Sequence, residues 1–234
     1  MVNGPGGPGP WGAKPSPEGN RFVPALGFAT LTPLYDAVIA ATMRESTFRR
    51  ALLAQAAIAN GHRVLDLGSG SGTLAILIGR EVPGARVEGL DADPAMVETA
   101  RRKAALAGSS AVFHHGDATR LPFEDATFDR VVSSLFFHHL SPAGKRQAAA
   151  EIARVLRPGG ELHVADWGPA PNPFLRALFL VVQLLDGFGN TRENVEGRLP
   201  EVFAAAGLEG VASRLTLPTV FGALALYRAH RPFA

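Results

Sequence analysis

The stretch VLDLGSGSG, residues 64–72, most constrains what this chain can become. An apolar run suited to a buried strand ends in an acid, Asp66, and passes through Gly68, Gly70 and Gly72 into the helical pattern TLAILIGREV. Glycines between a strand and a helix allow backbone conformations that other residues resist, and they let a ligand approach the main chain. The unit then repeats. ARVEGLD reads as a second strand, and Asp93-Pro94 as the N-cap and first helical position of AMVETARRKAALAG. AVFHHGD gives a shorter third strand and FDRVVSS a fourth with the character of a buried parallel sheet. Ser141-Pro142 opens the helix AGKRQAAAEIARVLR, expected to stop at Pro158-Gly159-Gly160 before the strand ELHVADW. Strands alternating with helices of this length predict an α/β fold with a doubly wound, Rossmann-like parallel sheet. The ending differs. NPFLRALFLVVQLLD and ENVEGRLPEVFAAAG read as helices, and GVASRLTL and TVFGALALYRA as two strands so close that they must pair antiparallel.

Upstream, residues 1–20 contain eleven Gly or Pro and read as a disordered tail, while residues 21–60 read as an N-terminal helical cap broken near Ser46. Residues 61–234 form the α/β domain, with a helical insertion at about 172–200. The 23 basic and 21 acidic side chains are mixed along the chain, so no nucleic-acid partner is expected. The absence of cysteine excludes disulfides, thiolate ligands and a cysteine nucleophile. The longest apolar stretch, ALFLVVQLL at 177–185, is too short to span a bilayer, so a soluble, cytoplasmic protein without stable membrane insertion is expected. The histidine pairs, His114-His115 and His138-His139, are contiguous and lack ligand spacing, so no metal is expected.

In an open α/β sheet a ligand sits outside the carboxyl ends of the strands. Those ends carry Asp66 with the glycines, Asp91, Asp117, the run Ser133 to His139, and Asp166 with Trp167. Three carboxylates in one crevice call for a ligand with several hydrogen-bond donors or a positive charge. Asp91, 25 residues beyond Asp66 at the tip of the second strand, suits ribose hydroxyls. Two cofactor classes compete. Read from Gly70, GSGTLA also fits the dinucleotide pattern G-x-G-x-x-A, which keeps a nicotinamide-dependent oxidoreductase open. Against it stands the negative charge of Asp66, which would repel a pyrophosphate but attract an ammonium or a sulfonium. No Tyr-x-x-x-Lys pair and no G-K-[ST] occurs.

Five stretches in order resemble the class I S-adenosylmethionine-dependent methyltransferases, and among them the ubiquinone/menaquinone C-methyltransferase-like group. They are VLDLGSGSG, GLDADPAMVETAR, GDATRLPFEDATFD, VVSSLFFHHL and EIARVLRPGGELHVAD; the upstream TPLYDAV also resembles a tyrosine-aspartate helix of the family. The resemblance implies a seven-stranded sheet of order 3-2-1-4-5-7-6 with strand seven antiparallel. It implies that Asp66 holds the methionine ammonium, while the backbone of Gly68, Ser69 and Gly70 passes beside the carboxypropyl chain. Asp91 and Ala92 would meet the ribose, and Asp117 and the amide of Ala118 the adenine. Ser133 and Ser134 would lie near the sulfonium, and Tyr35 would pack over the methionine end. S-adenosylhomocysteine would be the product, and the insertion would lie on the acceptor side.

A base is required only when the acceptor is protonated at working pH, as a phenol of pKa about 10 would be. The candidates are His138, His139 and Asp166. On an extended chain adjacent side chains face opposite ways, so one histidine at most is expected in the pocket. For His114-His115 a structural role is expected. The apolar segment FLRALFLVVQLLD is expected to be a fully buried helix, with a lid over a lipophilic acceptor as the alternative. The expected function is methyl transfer to a small lipophilic, phenol- or thiol-type acceptor by in-line displacement. A nicotinamide oxidoreductase and a non-catalytic cofactor-binding partner subunit are the alternatives.

Overall fold

The computed structural model describes residues 45–233. The Gly/Pro-rich tail, Tyr35 and most of the 21–60 cap lie outside them. The chain enters through helix α1 (Glu45–Ala56) and alternates through β1 (Arg63–Leu67), α2 (Thr73–Glu81), β2 (Arg86–Asp91), α3 (Pro94–Leu106) and β3 (Val112–His115). It continues through β4 (Phe128–Ser134), a 3₁₀ turn (Phe137–His139), α4 (Pro142–Val155) and β5 (Leu156–Trp167). Three helices, α5 (Pro173–Asp186), α6 (Phe188–Val195) and α7 (Leu199–Ala205), precede β6 (Glu209–Thr219) and β7 (Gly222–His230).

The seven strands form one sheet in the order β3-β2-β1-β4-β5-β7-β6. The first five are parallel and β7 runs antiparallel to both β5 and β6, which is the topology expected from the sequence. Alternate residues face opposite sides of a strand, so neighbours on β1 divide between two cores. Val64 joins Phe48, Leu52, Ile78 and Phe179 under α1, α2 and α5. Leu65 and Leu67 join Ile152, Leu199 and Phe203 under α4 and α7.

Three helices start with one device, an oxygen-bearing cap followed by proline. Asp93 accepts from the Ala95 amide, Ser141 from Gly144 and Asn172 from Leu175. Proline at the first helical position costs no hydrogen bond, because that N–H has no partner within the helix. Helix α2 starts at Gly72, which has no capping side chain. Its cap comes from β1, where Asp66 Oδ2 accepts from the Ala75 amide at 3.1 Å.

Several expectations are corrected. Pro158-Gly159-Gly160 is not a spacer before the fifth strand. β5 already runs through it, because the tail beyond β7 pairs there, with Gly159 N–H donating to Arg231 and Arg231 N–H to Gly160. Pro218 lies inside β6 opposite Ala223, and the hairpin turns at Val220-Phe221. The segment ENVEGRLPEVFAAAG is divided between α6 and α7 by Gly197, whose φ of 72° stops a right-handed helix. Helix α5 is not buried all round. Leu175 and Phe179 face the core, while Phe174, Leu180, Val181, Leu184 and Leu185 are exposed.

Candidate active site at the carboxyl edge of the sheet

The glycine loop is stitched to β2, with the amides of Gly68 and Ser69 both donating to the Leu90 carbonyl at 2.9 and 3.0 Å. Its glycines differ in purpose. A Cβ on Gly72 would fall 2.6 Å from Phe113 and 2.8 Å from Ala100, so that position serves close packing of helix and strand. At Gly70, with φ of 50°, nothing among the described residues lies within 4 Å of such an atom. A Cβ on Gly68 would meet the ring of Phe136, which lies across the loop from the β4 side.

Asp66 is 1% exposed, and its Oδ1 has no hydrogen-bond partner among the described residues. Burial raises its pKa to about 7, against the opposing pull of the Arg49 guanidinium and the Ala75 amide. Asp91 is differently held, with Oδ2 accepting from Gly70 N–H at 2.7 Å and Oδ1 from Asp93 N–H at 2.9 Å. Burial again pushes its carboxyl above the usual range, opposed by those same amides. Asp117 is exposed and accepts from the Thr119 amide, beside buried Ala118. Ala92 is exposed and its carbonyl receives the His115 ring. His114 pairs with Glu88, so both histidines of β3 are engaged in local structure. Ser133 donates its hydroxyl to the Leu67 carbonyl, tying β4 to β1, while Ser134 is half-buried.

Beyond β4 the chain is strained. Leu135 has φ of 54°, a left-handed conformation costing a bulky residue on the order of 1–3 kcal/mol. Asp166 holds it there. Its Oδ2 accepts from the amides of Phe136 and Phe137 at 3.1 and 2.7 Å, and its Oδ1 from His138 Nδ1 at 2.8 Å, Trp167 N–H at 2.7 Å and Asn194 Nδ2 at 3.2 Å. Burial disfavours the charge, yet His138, the Trp167 amide and Lys145 outweigh it and hold the carboxyl below its ordinary range. Asp166 therefore receives five donors, two on Oδ2 and three on Oδ1. The histidines do not alternate as on an extended chain, because they lie in the 3₁₀ turn with ring centroids 4.0 Å apart. Burial, with His138 adding to it, lowers the His139 pKa to about 3.

Two residues escaped the sequence reading. Lys145 is fully buried and donates to the Asn190 carbonyl at 2.5 Å and to Asn194 Oδ1 at 2.7 Å. Asn194, also fully buried, passes the contact on to Asp166. A signal existed. Lys145 shares its helical stripe with Ala148, Ala149 and Ile152, so a lysine stood on a face otherwise made for burial.

The sheet order, the loop after β1 and the acids at successive strand tips define a class I methyltransferase fold. A family model described as a methyltransferase domain matches residues 64–160. The demethylmenaquinone methyltransferase of Thermus thermophilus is 34% identical over 225 residues, covering 88% of this chain and 100% of the relative. Among solved structures, the YcgJ protein of Bacillus subtilis matches with a TM-score of 0.63 at 21% identity, over 80% of this chain and 98% of that one. The [4+2]-cyclase SpnF matches with a TM-score of 0.63 at 18% identity, over 80% of this chain and 82% of that one. Because one architecture carries such different chemistry, these structures speak for the fold alone and the sequence relatives decide the class. The chain belongs to the S-adenosylmethionine-dependent methyltransferases, within the ubiquinone/menaquinone C-methyltransferase-like group. It is an enzyme of that class, and the nicotinamide reading of the Gly70 register is not favoured.

Proposed function

We propose that this enzyme methylates a ring carbon of a lipophilic quinol of the demethylmenaquinone kind. The observation that carries the reading is the match over the whole length of the Thermus thermophilus enzyme. Helix α5 supports it. Phe179 packs against Trp167 at the end of β5, with ring centroids 5.0 Å apart, while the outward stripe of the same helix stays apolar. A small thiol would have no use for such a surface.

The residues fit the cofactor. Asp66 Oδ1, without a hydrogen-bond partner among the described residues, suits the methionine ammonium, and the backbone at Gly70, with Gly68 and Ser69, suits the carboxypropyl chain. Asp91 keeps lone pairs for ribose hydroxyls after serving Gly70 and Asp93, with Ala92 beside it. Asp117 and the Ala118 amide would meet the adenine. Ser134 is better placed than Ser133 to meet the reacting end, because the Ser133 hydroxyl is already committed. The bound cofactor supplies an electrophilic methyl group on a sulfonium.

A quinol ring carbon becomes nucleophilic when its hydroxyl is deprotonated, and a phenol of pKa about 10 keeps its proton at neutral pH. His139, at about 3, is too weak a base, since the mismatch is worth roughly 10 kcal/mol. The geometry of its contact with Asp166 makes His138 the candidate base. Its Nδ1–H donates to ionised Asp166, which leaves Nε2 as the proton acceptor. The test is turnover of the purified enzyme with S-adenosylmethionine and a reduced demethylated naphthoquinol, beside a panel of thiols. Quinol methylation, with a loss of ~100-fold in His138→Ala at unchanged cofactor affinity, is expected. Methylation of thiols alone overturns the acceptor, and full turnover by His138→Ala overturns the base.

A further inference from the structure

We propose that Lys145 and Asn194 are positioning residues for methyl transfer, linking α4 and α6 through Asp166 to the ring of His138. The inference rests on the reading of His138 as the base. The link is continuous. Lys145 Nζ donates to Asn194 Oδ1 at 2.7 Å, Asn194 Nδ2 donates to Asp166 Oδ1 at 3.2 Å, and that oxygen receives His138 Nδ1–H at 2.8 Å. Asn194 also donates to the Trp167 carbonyl at 3.3 Å, and Asn190 to the carbonyl of His139, also at 3.3 Å, so α6 holds both the end of β5 and the end of the turn that carries the histidines.

Packing alone does not ask for these groups. A buried ammonium is costly, and an apolar side chain of similar volume would fill the place on α4 at no such cost. Burial does lower the Lys145 pKa, but Asp166 and Glu193 oppose the shift. The charges around the dyad are arranged in sequence. Lys145 faces Glu193 at 3.6 Å, and the other Glu193 oxygen meets the guanidinium of exposed Arg146 at 3.2 Å. From the remaining elements, His138 and His139 approach from the 3₁₀ turn and the Tyr227 hydroxyl from β7, where burial and Asp166 both hold it protonated. Lys145 is thus a cation joined to Asp166 through Asn194. It favours the ionised carboxylate, and Asn194 anchors the oxygen that receives the imidazole N–H. The effect is a ring held in one tautomer before the acceptor arrives.

The test uses Lys145→Met and Asn194→Ala in the full chain, with two readouts besides stability. One is nitrogen-resolved NMR of the His138 ring, where the native enzyme should show a single, slowly exchanging Nδ1 proton. The other is the split between kcat and cofactor affinity. Both variants should broaden or lose that proton and lower kcat about tenfold or more, with cofactor affinity and KM for the cofactor unchanged. Asn194→Ala removes the bridge without emptying the lysine site, so it answers if Lys145→Met folds poorly. A native Nδ1 resonance in folded variants overturns the proposal whatever happens to kcat. So does a disordered ring with native kcat. The failure of the base reading looks different, because it appears in His138→Ala as full turnover.

Discussion

Glu161 and Asp66 are both carboxylates on the central strands, and they sit towards opposite ends of the sheet. Around Glu161, towards the amino ends, each oxygen is engaged. Arg228 donates at 2.6 Å, the His163 ring at 2.9 Å, and Arg130 stands 3.9 Å away. Burial pushes Glu161 up, but these partners outweigh it and hold the carboxyl below its usual range. Asp129 nearby is likewise paired with Arg157 and accepts from the Arg63 amide. At the carboxyl ends, Asp66 has one oxygen on the Ala75 amide and one with no hydrogen-bond partner among the described residues, and its pKa rises to about 7. One end satisfies its charge within the protein. The other leaves, among the described residues, one carboxylate oxygen without a hydrogen-bond partner.

The sharpest way to break the contrast is to unpair the satisfied end. Glu161→Ala leaves His163, Arg130 and Arg228 without their common partner, and should cost about 3 kcal/mol in denaturant unfolding while cofactor affinity stays native. A stable variant, or one that loses the cofactor, would erase the division of labour. Next in size is Asp66→Asn. The amide still accepts from Ala75 but carries no charge, so the free protein should melt at or above the native temperature while cofactor affinity falls ~100-fold, about 2.7 kcal/mol. Native affinity in calorimetry would remove Asp66 from the site.

The smallest effect is in pH. With its pKa at about 7 in the folded protein, the neutral form of Asp66 favours folding. Its contribution is complete below the ordinary pKa of 3.8 and is lost as pH rises through 7. A cationic ligand reverses the preference, so cofactor affinity should rise by up to tenfold between pH 6 and 8, with proton release on binding. Calorimetry in buffers of different ionisation enthalpy measures that proton, and binding without release would place the carboxylate fully ionised beforehand.

Much of this was legible in the chain. The strand–helix order, the capping pairs Asp93-Pro94 and Ser141-Pro142, and the acids at the strand tips are local patterns, and the structure has them where the spacing placed them. The extent of β5 was not legible, because Pro-Gly-Gly reads as a break until the tail beyond β7 is brought alongside to pair with it. Helix α5 was misjudged for a related reason. Apolar residues on both faces look buried to periodicity, yet one face packs against β7 and α6 while Phe174, Leu180, Val181, Leu184 and Leu185 stay exposed.

The sequence by itself determined the sheet, the glycine loop and the set of polar groups at its edge, because each depends on residues a few positions apart. Only the tertiary structure decided what those groups are free to do. Asp66 and Asp166 look alike as strand-end acids, but one retains an oxygen without a hydrogen-bond partner among the described residues, whereas the other receives five donors. The partners that make the difference lie 28 residues away at His138 and Asn194, and 49 residues separate Lys145 from Asn194. Hydrogen bonds are sensitive to tenths of an ångström, so the state of a buried carboxylate is set by how distant segments pack.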